Sequence, residues 1–201
     1  MSNDDYSPAR LADRAMIQDL ILKWCRAADR LDYDGMLAVF HPGATDSHGP
    51  YIGPIEGLVD WVRSVTPASI SSHLVGNMLV EFTGADEALV ETYVRTIQQY
   101  PPEAKAKLAQ LTGGASGNAA STSDMFTSSR YLDRVTREGG VWRISQRTLI
   151  QDWKQISEVT VNALQPKEGW VVGRRDGKDE VQRMRAELGI AAPKPNIREA
   201  T

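Results

Sequence analysis

The chain has 201 residues, a formal net charge of −3 and a pI near 5.7. That length buries a sizeable core without metals or disulfides, and the mild acidity excludes nucleic acid or an anionic membrane as the expected partner. A single cysteine, Cys25, rules out an internal disulfide, argues against a structural zinc site and fits a reducing, cytoplasmic setting.

The acidic start, Met1-Ser2-Asn3-Asp4-Asp5, lacks the basic-then-apolar layout of a signal peptide. Ser7-Pro8 pairs a capping hydroxyl with proline at the first helical position and opens a helix to about Leu31. Its stripe is Leu11, Ile17, Leu20, Ile21, Trp24 and Ala28. Asp32-Tyr33-Asp34-Gly35 breaks it, and a short helix follows from Gly35 to Phe40. After the turn His41-Pro42-Gly43, the pattern predicts a strand over Ala44–Tyr51. A third helix runs from Gly53-Pro54 to about Val65. Then the texture changes. Strands are predicted over 69–82, 88–100, 130–137 and 141–153, with turns at Thr83-Gly84-Ala85-Asp86 and Gly139-Gly140. Helices followed by consecutive antiparallel strands indicate one α+β domain, residues 1–159. Residues 101–124 are small and polar and read as a flexible insertion, either a plain loop or a lid, with a short helix possible over Glu103–Leu111. Residues 160–201 form a charged extension with an apolar cluster at Trp170-Val171-Val172 and a helical run near Asp179–Leu188. It is expected to pack on its own body or on a neighbouring subunit.

The strand Ser71–Phe82 carries the chemistry. On strict alternation Leu74, Met78, Val80 and Phe82 share one face with Gly76, while His73, Val75, Asn77 and Leu79 share the other. A histidine between two apolar faces needs a hydrogen-bond partner or a task. Asp29, near the carboxyl end of the first helix, is unfavourable for the helix dipole and lies on the edge of the stripe. Pairing with His73 would satisfy both; pairing with Arg26 or Arg30 at the surface is the other reading. Asp46 and His48, two apart, share a face of their strand. So do Tyr93 and Arg95, and likewise Arg143, Ser145 and Arg147. An arginine aimed into an apolar cavity binds a leaving group or oxyanion; on a strand it is as readily a cross-strand ion-pair partner. Trp24, Trp61 and Trp153 read as core residues. No dinucleotide loop, phosphate loop, nucleophile elbow or metal-ligand spacing is present, so neither metal nor cofactor is expected.

Six pieces in order, Leu11–Leu20, Asp29–Asp32, His41–Gly49, Ser72–Asn77, Arg130–Arg134 and Val141–Arg147, resemble the nuclear transport factor 2-like superfamily and its SnoaL-like branch. The resemblance spans roughly Leu11 to Trp153. It implies a cone: a strongly curved antiparallel sheet wrapped around three amino-terminal helices, with a deep apolar pocket inside. The branch includes enzymes resembling hexachlorocyclohexane dehydrochlorinase and scytalone dehydratase, whose aspartate–histidine pair takes a proton while a group leaves. Those positions fall on Asp29 and His73; a pocket arginine falls on Arg147, and a second histidine on His48. A lysine of the dehydrochlorinase is replaced by Trp24, which disfavours chloride elimination and favours a larger, flatter, aromatic substrate. The resemblance thus implies a cofactor-independent lyase, with catalytic residues Asp29, His73, His48 and Arg147. Trp24, Tyr33, Asp46, Asn77 and Tyr93 are expected to bind the substrate. An isomerase using the same base and a non-catalytic binding or assembly module are the alternatives. A homotrimer or homodimer is expected.

Overall fold

The capping pair starts the first helix as predicted. In the computed structural model, which describes residues 3–65, 70–160 and 169–196, α1 spans Pro8–Arg30 after a short 3₁₀ turn at Asn3–Tyr6. The Ser7 hydroxyl accepts from the Arg10 backbone N–H, and Leu31 closes the helix in the left-handed conformation. Steps of four from Ile17 pass through Ile21 and Cys25 to Asp29, so the carboxylate ends a buried stripe. Leu11, expected in that stripe, is exposed. The buried residue of that turn is Asp13, which accepts from the Arg137 guanidinium at 3.0 Å and the Trp142 indole at 2.8 Å.

Helix α2 (Tyr33–Ala38) is capped by the Asp32 side chain, which accepts from Gly35 N–H. Strands β1 (Phe40–His48) and β2 (Tyr51–Pro54) and helix α3 (Ile55–Val65) follow. Four long strands complete the sheet: β3 (Ile70–Phe82), β4 (Glu87–Tyr100), β5 (Ser123–Glu138) and β6 (Val141–Glu158). Ser69, the first residue of the predicted strand, lies outside the described residues. The sheet order is β2-β1-β6-β5-β4-β3. It is mixed, not wholly antiparallel, because β1 runs parallel to β6. The helices deliver β1 to the sheet at the end where the β5–β6 turn lies, pairing Phe40 with Ile144, so both strands leave in one direction. The sheet curls round α1–α3. Ile17, Ile21, Met36, Phe40, Ile55, Leu58, Val90 and Ile144 are among the residues of their common core.

Three β-bulges decide which side chains reach that core. In β3 the register jumps between Val75 and Met78, opposite Val94 and Thr92. The extra residue inverts the alternation. Ser71, His73 and Val75 therefore face inward, and beyond the bulge Met78, Val80 and Phe82 do; Leu74 is 69% exposed. The single apolar face expected from strict alternation does not exist. In β6 an extra residue, Ser145, separates Ile144 from Gln146, which turns Arg147 inward. The expected shared face of Arg143, Ser145 and Arg147 is broken there. Asp152 is the third extra residue and turns Lys154 inward.

Residues 101–124 carry more structure than their composition suggests. A 3₁₀ turn at Pro102–Ala104 leads into α4 (Lys105–Thr112), which ends at Gly113 with φ of 71°. Tyr100, Ala104, Leu108 and Met125 form a second buried cluster beneath it. Lys105 is buried and donates to the Ser116 carbonyl and the Ser123 hydroxyl. Residues 169–196 of the carboxyl-terminal extension make contacts with their own chain. Asp179 caps α5 (Glu180–Glu187) and lies 3.4 Å from Arg30; Asn196 donates to the Phe40 carbonyl. Residues 161–168 and 197–201 of the expected extension lie outside the described residues, and Trp170, Val171 and Val172 are exposed.

Candidate active site

The β3 bulge and the end of α1 bring His73 and Asp29 together. His73 Nδ1 lies 2.6 Å from Asp29 Oδ1, and the His73 backbone N–H donates to Oδ2 at 2.9 Å. The Ser71 hydroxyl, one inward position earlier, donates to Oδ1 at 2.9 Å. Burial pushes the Asp29 carboxyl up, but the hydrogen bond and attraction of His73, its backbone N–H and the Ser71 hydroxyl outweigh burial. The carboxyl sits below its ordinary 3.8. With the Nδ1 proton assigned towards that carboxylate, Nε2 is the ring nitrogen left for a reaction.

His73 lines a cavity of about 150 Å³ between the helices and the inner face of the sheet. Trp24, Met36, Trp61, Leu111 and Tyr131 supply apolar wall. One row of side chains crosses the sheet through the cavity. His73 pairs with Thr96, Thr96 with Thr127, and Thr127 with Lys154. All four line the cavity, and the two threonine hydroxyls are 2.6 Å apart. His48, at the end of β1, also lines it, with Nδ1 3.3 Å from the buried Asp46 Oδ1. The two groups are near each other but not hydrogen-bonded: Asp46 Oδ1 and His48 Nδ1 are both buried without a hydrogen-bond partner among the described residues. From the extension, Arg175 reaches the cavity and donates to the Asp29 and Ala28 carbonyls at 2.9 and 3.2 Å, satisfying carbonyls left open at the end of α1.

Of the other expected site residues, Trp24 lines the cavity and the rest do not. Arg147 is fully buried and does not line the cavity. Its Nε and Nη2 donate to Asp133 at 2.7 and 2.8 Å, and the Trp24, Phe40 and Tyr131 rings surround the guanidinium. Trp24 and Tyr131, which its guanidinium contacts, line the cavity in its place. Asn77 sits exposed in the β3 bulge. Tyr93 lies on the outer face beneath Arg130. Tyr33 packs under Arg63 beside a groove that includes Arg26 and Arg30, away from the cavity. Trp24 lines the cavity and donates its indole N–H to Tyr131; Asp46 reaches the cavity only through His48. Trp61, expected in the core, lines the wall, and Trp153 lies half exposed. Burial pushes the Cys25 thiol up to about 12, which removes it as a nucleophile. Among the described residues no three His, Cys, Asp or Glu side chains are grouped to hold a metal, and no helix is long and apolar enough to cross a membrane.

Sequence reasoning passed over Thr96, Thr127, Lys154 and Arg175. The threonines are visible only once the strand register is known. Lys154 is hidden by the bulge at Asp152, and Arg175 lies far along the chain in a charged segment.

Residues 9–148 match the model of the SnoaL-like domain. No curated protein sequence matches the chain. Among solved structures, a type 2 hexachlorocyclohexane dehydrochlorinase (LinA) is 20% identical, with a TM-score of 0.60 over 79% of this chain and 97% of that one. A LinA-type3 dehydrochlorinase from Novosphingobium barchaimii is also 20% identical, with a TM-score of 0.58 over 78% and 97%. A scytalone dehydratase-like protein from Novosphingobium aromaticivorans is 16% identical, with a TM-score of 0.55 over 79% and 95%. At these identities the likeness concerns the fold.

Proposed function

The chain belongs to the SnoaL-like domain family, and from that premise we propose that it is a cofactor-independent lyase acting on a small aromatic molecule. One observation carries the proposal: a cavity-lining imidazole bonded at 2.6 Å to a buried carboxylate that holds its Nδ1 proton. Nε2 of His73 takes a proton from a carbon or hydroxyl of the substrate. The electron pair left behind forms the new double bond, and the neighbouring group departs with its own bonding pair. His48, which lines the cavity beside Asp46, donates a proton to that group, so the product is the substrate less a small neutral fragment such as water or formaldehyde. A positioned base of this kind supplies about a hundred- to ten-thousand-fold; the apolar wall holds the reactant in line and supplies more.

The cavity narrows the expected substrate. Its volume of about 150 Å³ is the size of an engineered cavity that takes one benzene ring. We therefore favour a single flat ring over the larger aromatic substrate expected from sequence. The LinA-type neighbours eliminate chloride from a ring by name; here Trp24 in the wall favours a flat aromatic ring. Self-association belongs to the same reading, because Leu74, Leu79, Tyr93 and Ile97 leave apolar surface on the outer face of β3 and β4. A cytoplasmic setting belongs to the same reading, and the buried free thiol of Cys25 supports it.

The test is a screen of single-ring aryl alcohols and hydroxy acids, with product masses measured for the wild type and His73→Ala. A product lighter by one small fragment, formed only with His73 present, supports a lyase. A product of unchanged mass with a shifted double bond makes the protein an isomerase. No His73-dependent turnover by a folded protein leaves a binding module.

A further inference from the structure

The walls of the cavity are unbalanced in charge. Among its described lining residues are Lys154, Arg175 and the two histidines, and no aspartate or glutamate. The chain as a whole has the opposite balance, at −3. The Arg175 charge is partly answered by Asp29 behind the wall. Lys154 is not answered in this way: it is half-buried, its ammonium donates to the Leu111 carbonyl at 2.8 Å, and no carboxylate pairs with it among the described residues. A carbonyl satisfies one of its three donors. Burying an ammonium without a counter-charge costs free energy that an incoming anion offsets.

Position adds to this. Lys154 stands at the far end of the row that begins at His73, with the Thr96 and Thr127 hydroxyls between them. Three strand spacings separate the two ends, about 14 Å along the sheet. Both side chains line the same cavity, so an occupant touching one reaches towards the other across the threonine pair.

We propose that Lys154 is a specificity-determining residue that binds an anionic group of the substrate, so that the natural substrate is a single-ring aromatic carboxylate. The carboxylate docks on the Lys154 ammonium within the added field of Arg175. The ring lies across the threonine pair, and the reacting carbon or hydroxyl faces His73. The inference rests on the lyase reading for the role of His73, but the anion site itself does not. Burial lowers the Lys154 pKa, and a bound carboxylate works in the opposite direction.

The experiment is calorimetric titration of the full chain with benzoate and with its neutral isostere benzamide, in low and moderate salt. The wild type should bind benzoate at least tenfold tighter than benzamide, with the margin shrinking as salt rises. Lys154→Met should lose that margin while keeping benzamide affinity, and Lys154→Arg should recover most of it. Should Lys154→Met fail to fold, Lys154→Gln takes its place. Benzamide binding as tightly as benzoate, neither probe binding, or a margin that survives loss of Lys154 would each overturn the assignment. The titration involves no turnover, so its outcome is independent of the His73 test. A kept margin without His73-dependent chemistry sinks only the lyase; the reverse sinks only the anion site.

Discussion

Replacing Arg147 by methionine separates architecture from chemistry. The variant keeps most of the side-chain volume and removes the guanidinium from its two bonds to Asp133, a pair with both side chains fully buried. Burial already pushes the Asp133 carboxyl up, against the pull of Arg147. Without that pull the carboxylate is an uncompensated charge and must be carried or protonated. Breaking one half of a buried pair costs about 3–5 kcal/mol. For a chain of this length 1 kcal/mol moves the melting temperature by about 2–4 °C, so Arg147→Met should melt roughly 6–20 °C lower. Adding Asp133→Leu removes the orphan charge and should recover at least about half of the loss. Thermal melts of the wild type, both single variants and the double variant give the coupling directly. Turnover measured well below the melting points should fall by less than about tenfold, since Arg147 does not line the cavity. A variant that melts within about 2 °C of the wild type yet loses turnover a hundredfold would refute this and restore Arg147 to the reaction.

Asp29→Asn should lower turnover by about a hundred- to ten-thousand-fold while leaving the fold intact, because an amide no longer fixes the imidazole as an anion does; circular dichroism alongside rate measurement checks both halves. The same carboxyl links stability to acid. Its pKa is depressed in the folded chain, so its contribution is present above the unfolded value and lost as pH falls through the folded one. Urea midpoints should therefore fall as the pH is taken below 4 in the wild type and fall less in Asp29→Asn. Leu108→Ala empties the fully buried centre of the second cluster and should cost about 2–5 kcal/mol. Hydrogen exchange should place the loss in α4 and the adjoining wall, and protection unchanged there would contradict the packing.

The sequence made the helices legible because caps and four-residue steps are local. Ser7, Pro8 and the run Ile17, Ile21, Cys25, Asp29 required no tertiary knowledge. The pair Asp29–His73 was reachable for a related reason: a carboxylate at the end of an apolar stripe and a histidine in an apolar strand each need a partner. The faces of the strands were not legible. One extra residue inverts every later position, and nothing in the composition of Gly76-Asn77, Ser145 or Asp152 announces a bulge. Strict alternation therefore put Asn77 beside His73, grouped Arg147 with Arg143, and left Lys154 unnoticed. The parallel docking of β1 on β6 was equally hidden, since it depends on where α1 and α2 release the chain.

The measurement closest to the central claim is the wash-out of deuterium from substrate labelled at the reacting carbon, followed for the wild type and His73→Ala under identical conditions. Proton removal by the imidazole predicts rapid loss of label in the wild type and a fall of at least about a hundredfold without the ring. Equal wash-out by both proteins would contradict it.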